Sequence, residues 1–256
     1  MAIIKDHIPI YREIFRLSDV FREPVLTFGY QDILGKDIPK DFNYQDFKQL
    51  LLARGAKSIA TLDPFDNRSD LKYDMNLPIP ESEYEKYHTL IDIGSLEHVF
   101  DTKQCLENCM RMIKVGGYYF LHTPVNGWLY HGFHTFNPHF IIDAFKQNNF
   151  NIKYLKYSSQ RGIPIKTPDQ DSNAIIWIVG QKTVSIKQFQ IPQQENWPEI
   201  NRLLSSATQT KKNSFLLPVK IEYWFQQLCP PLIFRLLKKT TIKIRQKIGQ
   251  KWLRNS

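Results

Sequence analysis

Residues 123–138 read TPVNGWLYHGFHTFNP, and two histidines, His131 and His134, stand three apart within that run. An imidazole titrates near pH 6.5, so at neutral pH it can take the proton of an attacking hydroxyl group. Asn126, Trp128, Tyr130 and Asn137 add amide and aromatic surface for a polar molecule. The pattern predicts a binding loop with His131, and after it His134, as the base; a loop that merely packs down on the core is the weaker reading. His98, beside Glu97, reads as a helix-start residue that orients backbone, and His122 as a core histidine. A second group of residues ends short apolar runs: Gly29, Asp63, Asp92 and Gly94, with Ser95 beyond, while Asp74 sits in LKYDMNLP. A glycine admits a ligand against the backbone, and a carboxylate at a strand end accepts both hydroxyls of a ribose. Asp74 is placed to meet an adenine amino group. Singly, Asp63 before Pro64 also reads as a turn and Asp74 as a cap; their order along the chain favours a binding site.

The elements that must position these residues alternate. Apolar runs at 24–28, 57–62, 89–93 and 118–123 read as strands. Between them lie helical patterns, Phe47, Leu50, Leu51 and Arg54 before Gly55, then Leu106, Met110 and Ile113 before Gly116. Such alternation means right-handed crossovers and a parallel sheet with helices on both faces. Asn137-Pro138 marks a further helix start, and strands at 152–157 and 174–179 follow. In an open α/β sheet ligands sit beyond the carboxyl ends of the strands, where the acidic and glycine positions fall. The expected organisation is an N-terminal helical segment over 1–23, the sheet domain over 24–182, a polar linker over 183–215 rich in Gln, Asn, Ser and Thr, and a basic amphipathic helical tail over 216–256.

The 256 residues include 17 Phe, 12 Tyr and 5 Trp, enough apolar mass to bury a core and to exclude disorder over most of the length. No run approaches the roughly 18–20 apolar residues of a spanning helix, and Lys5, Asp6, Arg12 and Glu13 interrupt the N-terminus where a signal peptide would be apolar. The expected location is the cytoplasm. Cys105, Cys109 and Cys229 are too few and too scattered for a disulfide framework or a closed zinc site, so reduced thiols and no metal are expected. The formal charge of +9 divides into −2 over residues 1–180 and +11 over 181–256, which removes nucleic acid as a partner of the sheet domain. Residues 232–254 hold eight Lys/Arg and no acid, with Ile233, Leu237, Ile244, Ile248 and Trp252 on one helical face. Such a helix lies on an anionic surface, here the inner face of a membrane, or packs on a protein.

The stretch 90–124, which contains IDIGSLEHVFDTKQCLENCMRMIKVGGYYFLHTP, resembles class I S-adenosylmethionine-dependent methyltransferases: a fourth strand, a Glu-His-Val helix opening, a Leu-bearing helix, a Lys-x-Gly-Gly turn and a fifth strand. The resemblance extends over about residues 24–180. It implies a Rossmann-like, mostly parallel seven-stranded sheet whose last strand runs antiparallel, and S-adenosylmethionine lying across Gly29, Asp63, Asp74, Asp92 and Gly94. It also implies methyl transfer to a small-molecule or glycan hydroxyl beside His131 and His134, with Tyr30 or Trp128 offering a face to the sulfonium. The first loop departs from the family: VLTFGYQDILG carries Thr27 at the usual acidic position and Tyr30-Gln31 in place of glycines. Gly29 and Asp63 lie 34 residues apart, which predicts an insertion near 33–44. That degenerate loop keeps open a second reading, a methyltransferase-like binding or assembly module without catalysis.

Overall fold

The computed structural model describes residues 2–17, 22–168 and 173–192. Nine strands and four α-helices are formed by them: β1 (Ala2–Ile4), α1 (Ile8–Phe15), β2 (Val25–Phe28), β3 (Asp32–Leu34), α2 (Phe47–Ala53), β4 (Ile59–Leu62), β5 (Tyr87–Ile93), α3 (Thr102–Met112), β6 (Ile113–Asn126), α4 (Pro138–Gln147), β7 (Phe150–Ser159), β8 (Pro164–Ile165) and β9 (Ala174–Lys182). Seven strands make one sheet in the order β4-β2-β5-β6-β9-β7-β8. The first four are mutually parallel, and β9 enters antiparallel between β6 and β7. This is the expected Rossmann-like, mostly parallel sheet. Its seventh strand is the two-residue β8, and outside β4, among the described residues, a single parallel bridge from Leu62 to Leu71 extends the sheet.

Alternation along the strands splits the apolar residues between two cores. On one face Leu26, Leu90, Tyr119, Leu121 and Ile178 meet Cys105, Leu106, Cys109 and Met110 of α3 and Ile141, Ala144 and Phe145 of α4. Val25, Ile91, Phe120, Ile175 and Trp177 on the other meet Tyr11 and Ile14 of α1 and Phe47, Leu50 and Leu51 of α2. Each of α2, α3 and α4 begins at a side-chain cap: Asp46 accepts from Gln49 N at 2.8 Å, Asp101 from Gln104 N at 2.9 Å and Asn137 from His139 N at 2.9 Å. Such caps contribute about 1 kcal/mol each.

The domain is wider than the sequence indicates. The segment expected to stand apart at 1–23 supplies β1, which pairs in parallel with β3 inside the predicted insertion, and α1, whose Tyr11 is fully buried. At the other end residues 183–192 pack instead of linking. Ile186 and Phe189 are buried, and the Asn148 side chain donates to Gln190 O and accepts from Gln190 N. The compact unit therefore runs from Met1 to Gln193. The rest of the expected linker and the whole tail lie outside the described residues. Among the described residues no helix is long and apolar enough to cross a membrane.

Candidate functional site

β2 lies between β4 and β5, so the chain leaves it toward one side and later returns on the other; the crevice at the carboxyl ends of β2 and β5 is the switch point where such sheets bind ligands. Gly29 and Gly94 flank it with φ of 84° and 75°, a left-handed backbone that a Cβ would strain. Asp63 ends β4 half-buried: Oδ2 accepts from Tyr30 N at 3.3 Å, and Oδ1 accepts from Phe65 N and Asp66 N at 2.9 and 3.1 Å. It thus ties the loop after β4 to the loop after β2. The Tyr30 ring carries the Arg68 guanidinium at 3.9 Å, and Arg68 pairs with Asp32 and Asp66 at 2.8 and 2.6 Å. The face suggested for a sulfonium is therefore covered by a cation of the chain itself, which holds the Asp66 carboxyl down to about 2.

Two further acidic positions differ in kind. Asp74 is exposed, and its Oδ1 closes a turn by accepting from Asn76 N and Nδ2 at 2.9 and 2.7 Å. Asp92 is fully enclosed; it accepts from Ser95 N at 2.8 Å and from the Tyr119 hydroxyl at 3.3 Å. Burial first, and then the Glu97 carboxylate, push Asp92 well above the ordinary carboxylate range. Of the two, one thus closes a turn in solvent and the other is enclosed within the sheet. Gln31 is buried with its Nε2 on Phe28 O at 2.6 Å, while its Oε1 and Thr27 Oγ1 are buried and find no partner among the described residues. A hydroxyl that can donate or accept and an amide oxygen, two residues before and after Gly29 in the chain, together with the Asp63 carboxylate at the end of the neighbouring strand, are groups that suit the hydroxyl and amino donors of S-adenosylmethionine.

Across the sheet from Gly29, the loop after β6 is docked on Glu97. The Glu97 carbonyl accepts from Phe133 N at 2.8 Å and His134 N at 3.1 Å, and a Cβ on Gly132 would strike that same carbonyl. The buried Glu97 carboxylate accepts from Thr123 Oγ1 at 2.9 Å and stands 3.8 Å from His131 Nε2. The His98 and His131 rings are 5.1 Å apart, and Trp128 lies 5.2 Å from His131. His131 is raised from its ordinary pKa, chiefly by Glu97, whereas burial lowers His98. The two histidines singled out by sequence thus part company. His131 joins Glu97 and His98; His134 turns its Nε2 to Phe100 O at 3.1 Å and stacks on Phe136.

A cavity of about 200 Å³ opens between these groups, lined by Gly94, Glu97, His122, Trp128, His131 and, from the N-terminal segment, His7. His7 Nε2 lies 3.0 Å from Gln160 O, and since a carbonyl only accepts, Nε2 carries the proton and donates it. His7 Nδ1, His122 Nδ1 and Trp128 Nε1 are buried without a partner among the described residues. Burial lowers both histidines, so His7, His122 and Trp128 give neutral imidazole and indole to the part of the wall away from Glu97 and His131. Sequence reasoning gave none of Glu97, His98, His122 and His7 a place in the site. Glu97 and His98 were visible as a pair following Gly94 and were read as a helix start, which they are as a 3-10 turn; their side chains also meet His131. His122, read as a core histidine, lines the cavity while stacking on Trp177 at 4.0 Å. For His7, far from the loop in sequence, there was no local signal.

No protein-family model matches the sequence, and no curated protein is similar to it. Solved structures are similar in fold. An S-adenosylmethionine-dependent methyltransferase from Mesorhizobium loti aligns with 69% of this chain and 98% of its own at 11% identity and a TM-score of 0.46. TehB from Haemophilus influenzae aligns with 69% of this chain and 62% of its own at 13% identity and 0.44. The 1,6-didemethyltoxoflavin-N1-methyltransferase of Burkholderia thailandensis, solved with 1,6-didemethyltoxoflavin and S-adenosylhomocysteine bound, aligns with 69% and 84% at 10% identity and 0.42. The likeness is one of fold alone.

Proposed function

We propose that the chain binds S-adenosylmethionine at the crevice between β2 and β5 and transfers its methyl group to a hydroxyl of a polar small molecule or glycan. One observation carries the reading: the cavity is lined by Gly94, at the edge of the crevice, and by Glu97 and His131, so the proton-handling cluster adjoins the proposed donor side. Its volume suits a single sugar ring or a molecule of that size. The methyl sulfonium supplies an already activated carbon, and the chain has to align the acceptor and manage its proton. Gly29, Asp63 and Gly94 border the donor; His7, His122 and Trp128 offer neutral nitrogen groups to the acceptor, and the Glu97, His98 and His131 cluster faces its reacting hydroxyl. Residues 232–254 belong to the same proposal as the part that meets an anionic membrane surface, which puts the activity at the cytoplasmic leaflet.

A second reading, a methyltransferase-like binding or assembly module, is favoured by the closure of the crevice by its own groups: Arg68 over Tyr30, and Asp63 engaged by three backbone amides. Calorimetric titration separates the two. S-adenosylmethionine and S-adenosylhomocysteine are expected to bind one per chain with micromolar affinity, and absence of heat with both at millimolar concentration leaves the second reading.

A further inference from the structure

We propose that Glu97, His98 and His131 form a site for one divalent transition-metal ion of the zinc class. One ligand atom from each of the three lies within 4.8 Å of the others. Two imidazoles and one carboxylate are the donor set of a zinc site that keeps an open position, and the nitrogen donors select zinc or cobalt over magnesium or calcium. Tetrahedral coordination at about 2.0–2.1 Å sets donor atoms roughly 3.4 Å apart. The Glu97 Oε1 to His131 Nε2 separation of 3.8 Å is longer than a hydrogen bond and close to that spacing. Both histidines are exposed, so small rotations of the rings complete the approach without moving the core.

The surroundings hold the ligands in place from behind. Thr123 Oγ1 binds the carboxylate oxygen of Glu97 that faces away from His131, the arrangement by which a supporting hydrogen bond orients a metal-binding carboxylate. Two amides of the loop grip the Glu97 carbonyl, and Gly132 permits that approach, which brings His131 over the carboxylate. Glu97 is 1% exposed, and an ion beside it gives a buried carboxylate the cation such a group needs. Glu97 and His131 also line the cavity, so the open coordination position faces it. In that position the ion holds a ligand oxygen; that the oxygen is a methyl acceptor's rests on the function proposed above, whereas the site itself does not.

The experiment is cobalt(II) titration of the full-length, untagged protein after chelator treatment, read by visible absorption and competed with zinc. One cobalt per chain is expected, at micromolar affinity or tighter, with the intense bands of a tetrahedral site. His98→Ala and His131→Ala should each weaken it at least tenfold, and His134→Ala should bind as the parent does. His98 is an exposed residue of a three-residue 3-10 turn, so circular dichroism of His98→Ala is expected to match the parent and that variant keeps the test sound should His131→Ala misfold. Cobalt binding absent at millimolar concentration, or undiminished in His98→Ala, overturns the site. S-adenosylhomocysteine binding is measured in parallel with and without zinc. A chain that takes cobalt here but never the nucleoside keeps this site and loses the methyl-transfer reading.

Discussion

A carboxylate without a cation is costly to enclose, and Asp92 is wholly buried among neutral partners, the amide and hydroxyl of Ser95 and the phenol of Tyr119. Because its folded pKa is raised, its contribution to stability is fully present below the unfolded value near 3.9 and is lost as pH rises through the folded value. Asp92→Asn keeps an acceptor for Ser95 N and carries no charge. We expect the variant to be more stable than the parent at neutral pH by on the order of 1 kcal/mol, and equal to it at pH 4; urea unfolding at both values measures this, and a less stable variant at neutral pH would show that the acid itself is needed. Asp63 makes the opposite prediction. Removing its carboxylate frees three backbone amides as well as any ribose contact, so Asp63→Ala should bind S-adenosylhomocysteine at least tenfold more weakly, as read by calorimetry. His131→Ala should lower methyl transfer roughly 10²- to 10⁴-fold with donor affinity unchanged. His134→Ala, whose ring is held by Phe100 O, should cost far less.

Elements with a repeating pattern were legible, and short ones were not. β2, β4 and β5 announce themselves as apolar runs closed by Gly29, Asp63 and Gly94, and α4 by the Asn137-Pro138 cap, because local chemistry alone decides them. β1 and β3 have three residues each and become strands only by pairing across thirty positions, for which no periodicity exists to be read. The loop at 123–138 was legible as chemistry through its density of His and aromatic residues, but the parting of His131 from His134 depends on Glu97 and Phe100 in another element. The same limit explains residues 183–192, whose polar composition hides Ile186 and Phe189. A chain ending at Lys182 exposes the surface these two cover, at about 2 kcal/mol for each side chain, and removes Gln190 from Asn148, which keeps only its bond to Ala144 O. It should unfold at clearly lower urea concentration than a chain ending at Gln193, which should match the full length; equal midpoints would return 183–192 to a linker.

At the scale of the whole molecule the boundary at Gln193 sharpens the distribution of charge. Residues 1–193 hold 22 Lys and Arg against 22 Asp and Glu, so the compact unit is formally neutral and the entire +9 follows it. A neutral unit has no long-range attraction to an anionic surface, whereas each Lys or Arg close to an anionic leaflet contributes about 1 kcal/mol and falls off within a Debye length. Eight such residues in 232–254, interleaved with Ile244, Ile248 and Trp252, supply charge and apolar contact together. Full-length protein should therefore sediment with vesicles containing phosphatidylserine at low salt and be released as salt is raised toward 0.5 M. The chain ending at Gln193 should stay in the supernatant at every salt concentration and bind S-adenosylhomocysteine as the full length does. Full-length protein that ignores anionic vesicles at low salt would assign the basic residues to a protein partner; equal sedimentation of the two chains would place the membrane contact within residues 1–193, against their formal neutrality.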